Sequence, residues 1–250
     1  MRQAPVAVVT GAGSGVGRAA ALALFADGFS LALIGRRAAA LNETIAMTGD
    51  AARCLAISAD VSREADVESA FAAILERFGR IDLLFNNAGV MPPATDFGDI
   101  SGGDWRAGIA VNLDGAFYCA REAYRAMRQQ RPQGGRIINN GSVSAQSPRP
   151  NSAIYTASKH AMTGLSKSIQ LDGRSHGIAC GQIDIGNAST ELADAIGKGV
   201  AQADGSIRAE PMMRVEEVAS AIVMMARLPL GTNVPFMTIM ATAMPLVGRG

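Results

Sequence analysis

The strongest constraint on the fold is the alternation of short apolar runs with longer helical patterns. The apolar runs are continuous, which is typical of strands buried on both faces of a parallel sheet. The predicted strands are Pro5–Val9, Leu31–Ile34, Arg53–Ala59, Ile81–Phe85, Arg136–Asn140, Ile178–Ile183 and Pro235–Ile239. The predicted helices are Gly15–Ala26, Ala38–Met47, Glu64–Phe78, Trp105–Gln130 (one helix or two), Ala153–Arg174 and Val215–Arg227. This alternation predicts an α/β fold with helices on both faces of the sheet.

The chain length fits a single domain of this class. With 250 residues and no visible linker or repeat, we expect one domain over residues 1–250. Asp27-Gly28 is typical of a helix C-cap, and Ser62 is the expected N-cap of the third helix. The least regular stretch is Gly186–Arg214, which we predict to be a substrate loop or lid.

Composition excludes several classes of protein. The net charge of +1 argues against a nucleic-acid partner, because nucleic-acid-binding proteins usually carry a basic excess. No apolar run approaches the roughly 18 residues of a membrane helix, and the N-terminus lacks a secretory pattern. We therefore expect a cytoplasmic protein with no membrane partner. Cys54, Cys119 and Cys180 are too scattered for a disulfide framework or a metal site, and we predict that Cys119 and Cys180 are core residues.

A glycine-rich segment, residues 10–17 (Thr-Gly-Ala-Gly-Ser-Gly-Val-Gly), lies between the first predicted strand and helix. Glycine lets the backbone approach a pyrophosphate closely, and the helix start offers free N–H groups. The spacing from Gly11 is G-x-x-x-G-x-G instead of G-x-G-x-x-G. We interpret the segment as a dinucleotide-binding loop, with a ligand-free glycine turn as the alternative.

The end of the second strand bears on the choice of cofactor. A free ribose 2′-hydroxyl is usually held there by an acidic residue, but the strand ends at Gly35 and is followed by Arg36 and Arg37. Two guanidinium groups suit a 2′-phosphate. The sequence therefore favours NADP(H), with NAD(H) still possible. The alternative is that one or both arginines are ordinary solvated residues.

A Tyr–Lys pair supplies candidate chemistry. Tyr155 and Lys159 are four residues apart in a helical pattern, so they share one face. A neighbouring ammonium favours the phenolate form of a tyrosine, which could then exchange a proton with an alcohol or carbonyl oxygen. Alone, the pair is better explained by chance. Ser142 or Ser144, just past the fifth strand, could add a hydroxyl donor to a substrate oxygen.

Taken together, these motifs resemble the short-chain dehydrogenase/reductase family over roughly residues 5–190. The glycine loop is similar to the family's cofactor loop, and residues 86–89 (Asn-Asn-Ala-Gly) are similar to its segment after the fourth strand. The thirteen-residue offset from Ser142 to Tyr155 matches the family and selects Ser142 over Ser144. The resemblance, together with the alternation, implies a doubly wound Rossmann fold with a parallel sheet of about seven strands.

The resemblance also implies site residues. The catalytic set would be Asn112, Ser142, Tyr155 and Lys159. In this set the tyrosine is the acid or base, the lysine binds the nicotinamide ribose, the serine orients the substrate oxygen, and the asparagine holds a proton-relaying water. The cofactor-binding set would be Gly11, Ser14, Gly15, Val16, Arg36, Arg37, Asp60, Val61, Asn87, Ala88, Gly89, Tyr155, Lys159, Ile185, Gly186 and Ala188.

The sequence departs from the family pattern after the sixth strand. Ile185 stands where the family usually has proline, so its backbone is less fixed in φ. We expect Asp184 to be a solvated or capping carboxylate and Arg149 to be a solvated loop residue. The methionine-rich C-terminal stretch is interpreted as core and subunit contact, with a pocket wall as the alternative.

We therefore expect an NAD(P)-dependent oxidoreductase that interconverts a carbonyl and a secondary alcohol. Residues 91–98, 143–151 and 186–214 follow strand ends on the motif side, so we expect them to line the site of a partly apolar substrate. The resemblance implies a homo-oligomer, either a tetramer or a dimer. The alternatives are a catalytically silent NADP-binding regulator or scaffold, and a dehydratase or epimerase of the same cofactor fold.

Overall fold

The computed structural model describes residues 4–190, 199–202 and 204–246. A seven-stranded sheet lies at its centre, in the order β3-β2-β1-β4-β5-β6-β9, and every neighbouring pair is parallel. The strands of this sheet are β1 (Val6–Thr10), β2 (Ser30–Gly35), β3 (Cys54–Ser58), β4 (Leu83–Asn86), β5 (Gly135–Asn140), β6 (Ile178–Ile185) and β9 (Phe236–Ile239). The predicted doubly wound fold is confirmed.

Helices cover both faces of this sheet. Their bounds are α1 (Gly15–Ala26), α2 (Ala38–Thr48), α3 (Glu64–Phe78), α4 (Gly102–Ile109), α5 (Gly115–Gln129), α6 (Ala153–Gly173) and α7 (Val215–Arg227). Successive residues of β1 point to opposite faces: Val8 packs in the cluster that contains Phe71 of α3, whereas Val9 packs in the cluster that contains Leu24 of α1. Burial on both faces explains why the strand sequences are continuously apolar.

The strand order reverses at β1, which lies between β2 and β4. Doubly wound folds bind ligands at this kind of switch point, outside the carboxyl ends of the strands. The segments that follow β1, β4, β5 and β6 leave the sheet at this edge. The topology therefore brings the glycine loop and residues 86–89 together.

The long helical pattern over Trp105–Gln130 is two α-helices joined by a π-helical turn, Ala110–Asp114. The first of them, α4, begins at Gly102 because the Ser101 side chain accepts a hydrogen bond from the Asp104 backbone N–H. The predicted N-cap at Ser62 is wrong. Arg63 occupies that position without a side-chain cap, and the Ser62 hydroxyl donates instead to Asp60 Oδ1 (2.8 Å).

The predicted loop Gly186–Arg214 lies partly outside the described residues, since 191–198 and 203 are not described. In its described part, β7 (Val200–Ala201) and β8 (Ile207–Arg208) form a small antiparallel ribbon.

Cys119 and Cys180 are fully buried, as predicted, and burial raises the pKa of both thiols to about 12. Within the described ranges, no helix is long and apolar enough to cross a membrane. The same ranges contain no group of three or more His, Cys, Asp or Glu side chains placed to hold a metal ion.

Candidate active site

The glycine loop connects β1 to α1 through two left-handed residues, Gly11 (φ +66°) and Gly15 (φ +51°), a conformation that favours glycine. Close approach explains a third glycine: a Cβ at Gly17 would lie 2.2 Å from the carbonyl oxygen of Gly11. Ser14 precedes α1 but makes no side-chain cap. Ser14 therefore leaves the first N–H groups of α1 without a side-chain cap, and uncapped N–H groups at a helix start can bind an anion.

Hydrogen bonds from neighbouring strands fix this loop. Thr10 Oγ1 accepts from the backbone N–H groups of Asn87 and Ala88, both at 2.9 Å. Asn87 Nδ2 donates to the Thr10 carbonyl oxygen (2.9 Å), and its Oδ1 accepts from Asn140 Nδ2 (2.8 Å). The ends of β1, β4 and β5 are thus joined. This role of Thr10 was not predicted from the sequence, although a threonine that ends a buried strand is a usable signal.

These residues border a cleft of 520 Å³. Most of the predicted cofactor-binding residues line it. They are Gly11, Ser14, Gly15, Val16, Arg36, Arg37, Asp60, Val61, Asn87, Ala88, Gly89, Tyr155 and Lys159. The cleft wall also contains residues that the sequence analysis did not single out, namely Ala40, Leu41, Val90, Val111, Asn140 and Thr190. Its size suits a large ligand that lies along the strand ends.

Arg36 and Arg37 are exposed residues of the cleft wall, which also contains Asp60. Burial raises the pKa of Asp60, but hydrogen bonds from Ser62 and the positive charges of Arg36 and Arg63 outweigh burial, so its pKa is lower than usual. The carboxylate is therefore ionised near neutral pH. Neither Arg36 nor Arg37 forms an ion pair closer than 4.0 Å with a described residue.

Tyr155 and Lys159 lie on one face of α6, as the four-residue spacing predicted. Lys159 is 6% exposed, and its Nζ lies 5.6 Å from the centroid of the Tyr155 ring. Lys159 Nζ also donates to the Asn140 carbonyl oxygen at 2.7 Å. This contact fixes the ammonium between the tyrosine and the end of β5.

A second, smaller pocket of 110 Å³ adjoins the cleft. Its wall contains Val16, Met91, Asn140, Gly141, Ser142, Val143, Ser144, Arg149, Tyr155, Ile185, Gly186, Asn187, Ala188 and Thr190. The predicted cofactor residues 185, 186 and 188 thus line this pocket, whereas the others line the larger cleft. No C-terminal methionine within the described residues contributes to either wall.

Ser142 and Ser144 both reach the smaller pocket, but they have different hydrogen bonds. Ser142 Oγ accepts from the Ser144 backbone N–H at 3.1 Å. This bond uses one of the two acceptor lone pairs of the Ser142 hydroxyl and leaves its proton free to be donated elsewhere. Tyr155 is common to the walls of the smaller pocket and the cleft.

Asn112 is placed differently from the other predicted catalytic residues. It belongs to the π-helical turn, is 2% exposed and lines neither cavity. Its Oδ1 accepts from the Val90 N–H (2.7 Å), and its Nδ2 donates to the Val90 carbonyl oxygen (2.9 Å). The Asn112 side chain therefore fixes the backbone segment that follows Gly89 at the cleft wall.

Two charged residues near the smaller pocket differ from the sequence-based expectation of a solvated or capping Asp184 and a solvated Arg149: Asp184 is buried, and the Arg149 side chain is only 17% exposed. Asp184 is 3% exposed and accepts from the Ser142 backbone N–H (3.1 Å). Arg149 pairs with the buried Glu210 (2.5 Å) and donates to Asn187 Oδ1 (2.8 Å). The expectation of a solvated Arg149 is wrong because Arg149 forms this ion pair. The pair was not predicted because Glu210 lies 61 residues away in the chain.

Comparisons with known proteins agree with this architecture. The profile described as short chain dehydrogenase matches residues 5–201. The 3beta-hydroxysteroid dehydrogenase of Mediterraneibacter gnavus is 34% identical over 192 residues, which cover 76% of this chain and 68% of that protein.

Solved structures give the same result. The closed form of serine dehydrogenase complexed with NADP+ has a TM-score of 0.86 at 25% identity and covers 98% of both chains. The 3-ketoacyl-(acyl-carrier-protein) reductase of Brucella melitensis, complexed with NADH, has a TM-score of 0.84 at 24% identity, covers 96% of this chain and 98% of its own, and shows the shared fold. The chain therefore belongs to the short-chain dehydrogenase/reductase family of NAD(P)-binding oxidoreductases.

Proposed function

We propose that this protein interconverts a carbonyl and a secondary alcohol, with Tyr155 as acid and base and NADP(H) as the preferred cofactor. One observation carries the proposal: Tyr155 lines both the glycine-loop cleft and the smaller pocket that contains Ser142. A group at this junction can reach a substrate in the smaller pocket while facing a cofactor in the cleft. Two of the similar proteins are named dehydrogenases, which supports this reaction class.

The cleft fits a dinucleotide. The left-handed glycines and the close approach at Gly17 leave backbone instead of side chain at the expected pyrophosphate position, next to the uncapped start of α1. A nicotinamide bound there would exchange hydride with the substrate carbon. The backbone of Ile185, Gly186 and Ala188, on the wall of the smaller pocket, would hold its carboxamide.

Tyr155 and Lys159 would carry out the proton transfer to and from the substrate oxygen. In the reductive direction, Tyr155 donates its phenolic proton to the developing alkoxide, and in the oxidative direction it removes the alcohol proton. The ammonium of Lys159, fixed by its bond to the Asn140 carbonyl oxygen, would bind the nicotinamide ribose and place a positive charge beside Tyr155. A water at Asn112 would relay protons from Lys159 to solvent, as the family resemblance implies.

Ser142 would orient the substrate oxygen. Its oxygen already accepts from the Ser144 N–H, so its proton is available to the substrate carbonyl, where negative charge develops. Met91 and Ile185 on the same wall favour a substrate with an apolar part.

We assign the cofactor preference to Arg36 and Arg37. Both side chains are exposed at the cleft wall, and two guanidinium groups attract a 2′-phosphate more strongly than a 2′-hydroxyl. NAD(H) would still bind through the pyrophosphate and ribose contacts, but more weakly.

A substrate screen and a matched pair of variants test the reaction. Wild type is assayed with NADPH against a panel of ketones and with NADP+ against the alcohols, and turnover of at least one pair is expected. Tyr155→Phe should abolish turnover and keep NADPH affinity, because only the phenolic oxygen is removed. Tyr124→Phe is the control, since Tyr124 bonds to the Asp172 carbonyl oxygen outside both cavities. Tight NADPH binding without turnover of any substrate would instead favour a silent regulator.

We also propose a single-domain homo-oligomer in the cytoplasm, with residues 186–214 acting as a substrate loop. Phe117 on α5 and Leu171 on α6 are large apolar side chains, 43% and 62% exposed, and such surfaces often form subunit contacts. Light scattering on the purified protein would show a dimer or a tetramer, and a monomer would contradict the proposed assembly.

A further inference from the structure

A buried chain of polar side chains crosses β4, β5 and β6 and ends at Asp184. Asn86 Nδ2 donates to Asn139 Oδ1 (3.2 Å), and Asn139 Nδ2 donates to Ser166 Oγ (2.9 Å). Ser166 then donates to Gln182 Oε1 (3.0 Å), and Gln182 Nε2 donates to Asp184 Oδ1 (2.7 Å). Each of these five residues is at most 3% exposed, so every bond lies in the protein interior, where an unmade hydrogen bond is costly.

Asp184 itself faces hydrogen-bond donors from three sides. Its Oδ1 accepts from the Ser142 backbone N–H (3.1 Å) as well as from Gln182, and its Oδ2 lies 3.4 Å from Gln146 Nε2. Among the described residues, no cation pairs with this carboxylate within 4.0 Å. An ionised carboxylate is an acceptor only. An asparagine at position 184 would have the same shape, but its side-chain NH2 group would face one of these donors and could not accept a hydrogen bond from it.

The residue before Ser142 is matched to this carboxylate. A Cβ at Gly141 would lie 2.0 Å from Asp184 Oδ1 and 2.7 Å from Gln182 Nε2, so only glycine lets the β5 end approach so closely. The backbone of Ser142 is thereby held against Asp184. Because the Ser142 backbone sets the direction of its side chain, Asp184 also governs where the hydroxyl lies.

We propose that Asp184 is a positioning residue for the reaction. By accepting the Ser142 backbone N–H, it holds the Ser142 hydroxyl as a donor to the substrate oxygen in the pocket shared with Tyr155. The Gln182 side-chain amide, which donates to the same oxygen at 2.7 Å, holds Asp184 in place. The inference rests on the proposed function, since it gives Asp184 this purpose only if Ser142 contacts the substrate.

The contact can be tested without a substrate. A hydrogen bond to a carboxylate moves an amide proton resonance downfield, so the Ser142 amide resonance should move upfield in Asp184→Asn. Asp184→Glu keeps a carboxylate, so the Ser142 resonance should stay closer to its wild-type position than in Asp184→Asn. Selective serine labelling, with Ser142→Ala to assign the peak, gives the measurement. An identical Ser142 resonance in wild type and both variants would overturn the proposal.

Kinetics then test the consequence for catalysis. With a ketone identified in the screen, Asp184→Asn should lower kcat by roughly tenfold or more, as expected for a misplaced oxyanion donor, while NADPH affinity stays within about twofold. Asp184→Glu, which keeps a carboxylate, should retain more of kcat than Asp184→Asn. Ser166→Ala is the matched control: it breaks the same buried chain away from Ser142, so it should lower the melting temperature but keep kcat.

The possible results separate this inference from the proposed function. A folded Asp184→Asn variant with wild-type kcat overturns the inference, as does an equal loss of kcat in Ser166→Ala. If Asp184→Asn does not fold, Asp184→Glu decides, because it keeps a carboxylate: an active folded protein supports the proposal, and a folded protein with kcat as low as that of Ser142→Ala overturns it. Retained kcat in Ser142→Ala instead refutes the role proposed for Ser142, while the resonance shifts still report on the contact.

Discussion

At the scale of single residues, the glycine loop depends on a position that has no room for a side chain. Gly17 lies where a Cβ would meet the Gly11 carbonyl oxygen at 2.2 Å and Asn87 Nδ2 at 2.6 Å. The two atoms belong to the two segments that form the cleft. A side chain at position 17 must therefore push the glycine loop away from residues 86–89 and enlarge the pyrophosphate site.

We expect Gly17→Ala to weaken NADPH binding by at least tenfold and to lower the free energy of unfolding, because the clash involves backbone that cannot yield without breaking the Thr10 bonds. Gly164→Ala is the control: no atom lies within 4 Å of a Cβ built at Gly164, and alanine favours a helix interior by up to about 1 kcal/mol. Fluorescence titration with NADPH and urea unfolding give both quantities. Wild-type NADPH affinity in Gly17→Ala would show that the loop does not hold the cofactor.

At the scale of elements, a buried ion pair joins the loop before α6 to the segment before α7. Glu210 accepts from Arg149 Nη2 and from Asn187 Nδ2 (2.8 Å) through Oε2, and from Gln202 Nε2 (3.0 Å) through Oε1. The side chains of Arg149 and Glu210 are 17% and 2% exposed. Since Arg149 and Asn187 line the smaller pocket, this cluster joins its wall to the ribbon of β7 and β8.

Glu210→Gln should lower the free energy of unfolding by about 3 kcal/mol, the lower end for removing one member of a buried ion pair. Glu217→Gln is the control, because Glu217 forms an exposed pair with Arg214, and such pairs contribute about 0–1 kcal/mol. Urea unfolding at pH 7 measures both. Equal free energies of unfolding in wild type and Glu210→Gln would mean that the pair does not stabilise the fold.

The same pair predicts a pH dependence. Burial raises the pKa of Glu210, but hydrogen bonds from Asn187, Gln202 and Arg149 outweigh burial, so the pKa is lower than the ordinary 4.5. The stabilisation that ionised Glu210 gives the fold is therefore complete above the pKa of this group in the unfolded chain. It is lost as the pH falls through the lower pKa of the folded state. The difference in unfolding free energy between wild type and Glu210→Gln should therefore be constant above about pH 5.5 and shrink at lower pH. A difference that grows on acidification would contradict this assignment.

At the scale of the whole molecule, the sequence predicted what depends on local spacing. The glycine loop, the Tyr155–Lys159 pair and the buried strands are all visible within short windows. The sequence did not predict contacts between distant segments: Arg149 meets Glu210 across 61 residues, and Asp184 meets Ser142 across 42 residues. Asp184 was expected in solvent or at a cap and Arg149 in solvent, because charged residues are seldom buried and no local sequence pattern indicates their distant partners.

The molecule also carries almost no net charge, +1, so its overall field cannot select a phosphorylated cofactor, and the selection must be local. Because a ligand that binds the folded state stabilises it, NADPH at about 100 times its Kd should raise the free energy of unfolding by about 2.7 kcal/mol. NADH at the same concentration should raise it less. Arg36→Ala with Arg37→Ala should reduce the NADPH effect to the NADH level and leave the NADH effect unchanged.

Arg214→Ala is the control for this pair of substitutions. The Arg214 side chain is 77% exposed and, like those of Arg36 and Arg37, is solvent-accessible, but it lies outside the cleft wall. It should keep the wild-type difference between NADPH and NADH. Raising the salt concentration should narrow that difference in wild type, because charges at an exposed site are screened within about 10 Å at 0.1 M salt. Equal stabilisation of wild type by NADPH and NADH would contradict the assignment of the 2′-phosphate to Arg36 and Arg37. The reaction proposed for Tyr155 would remain intact, since its proton transfer does not involve that phosphate.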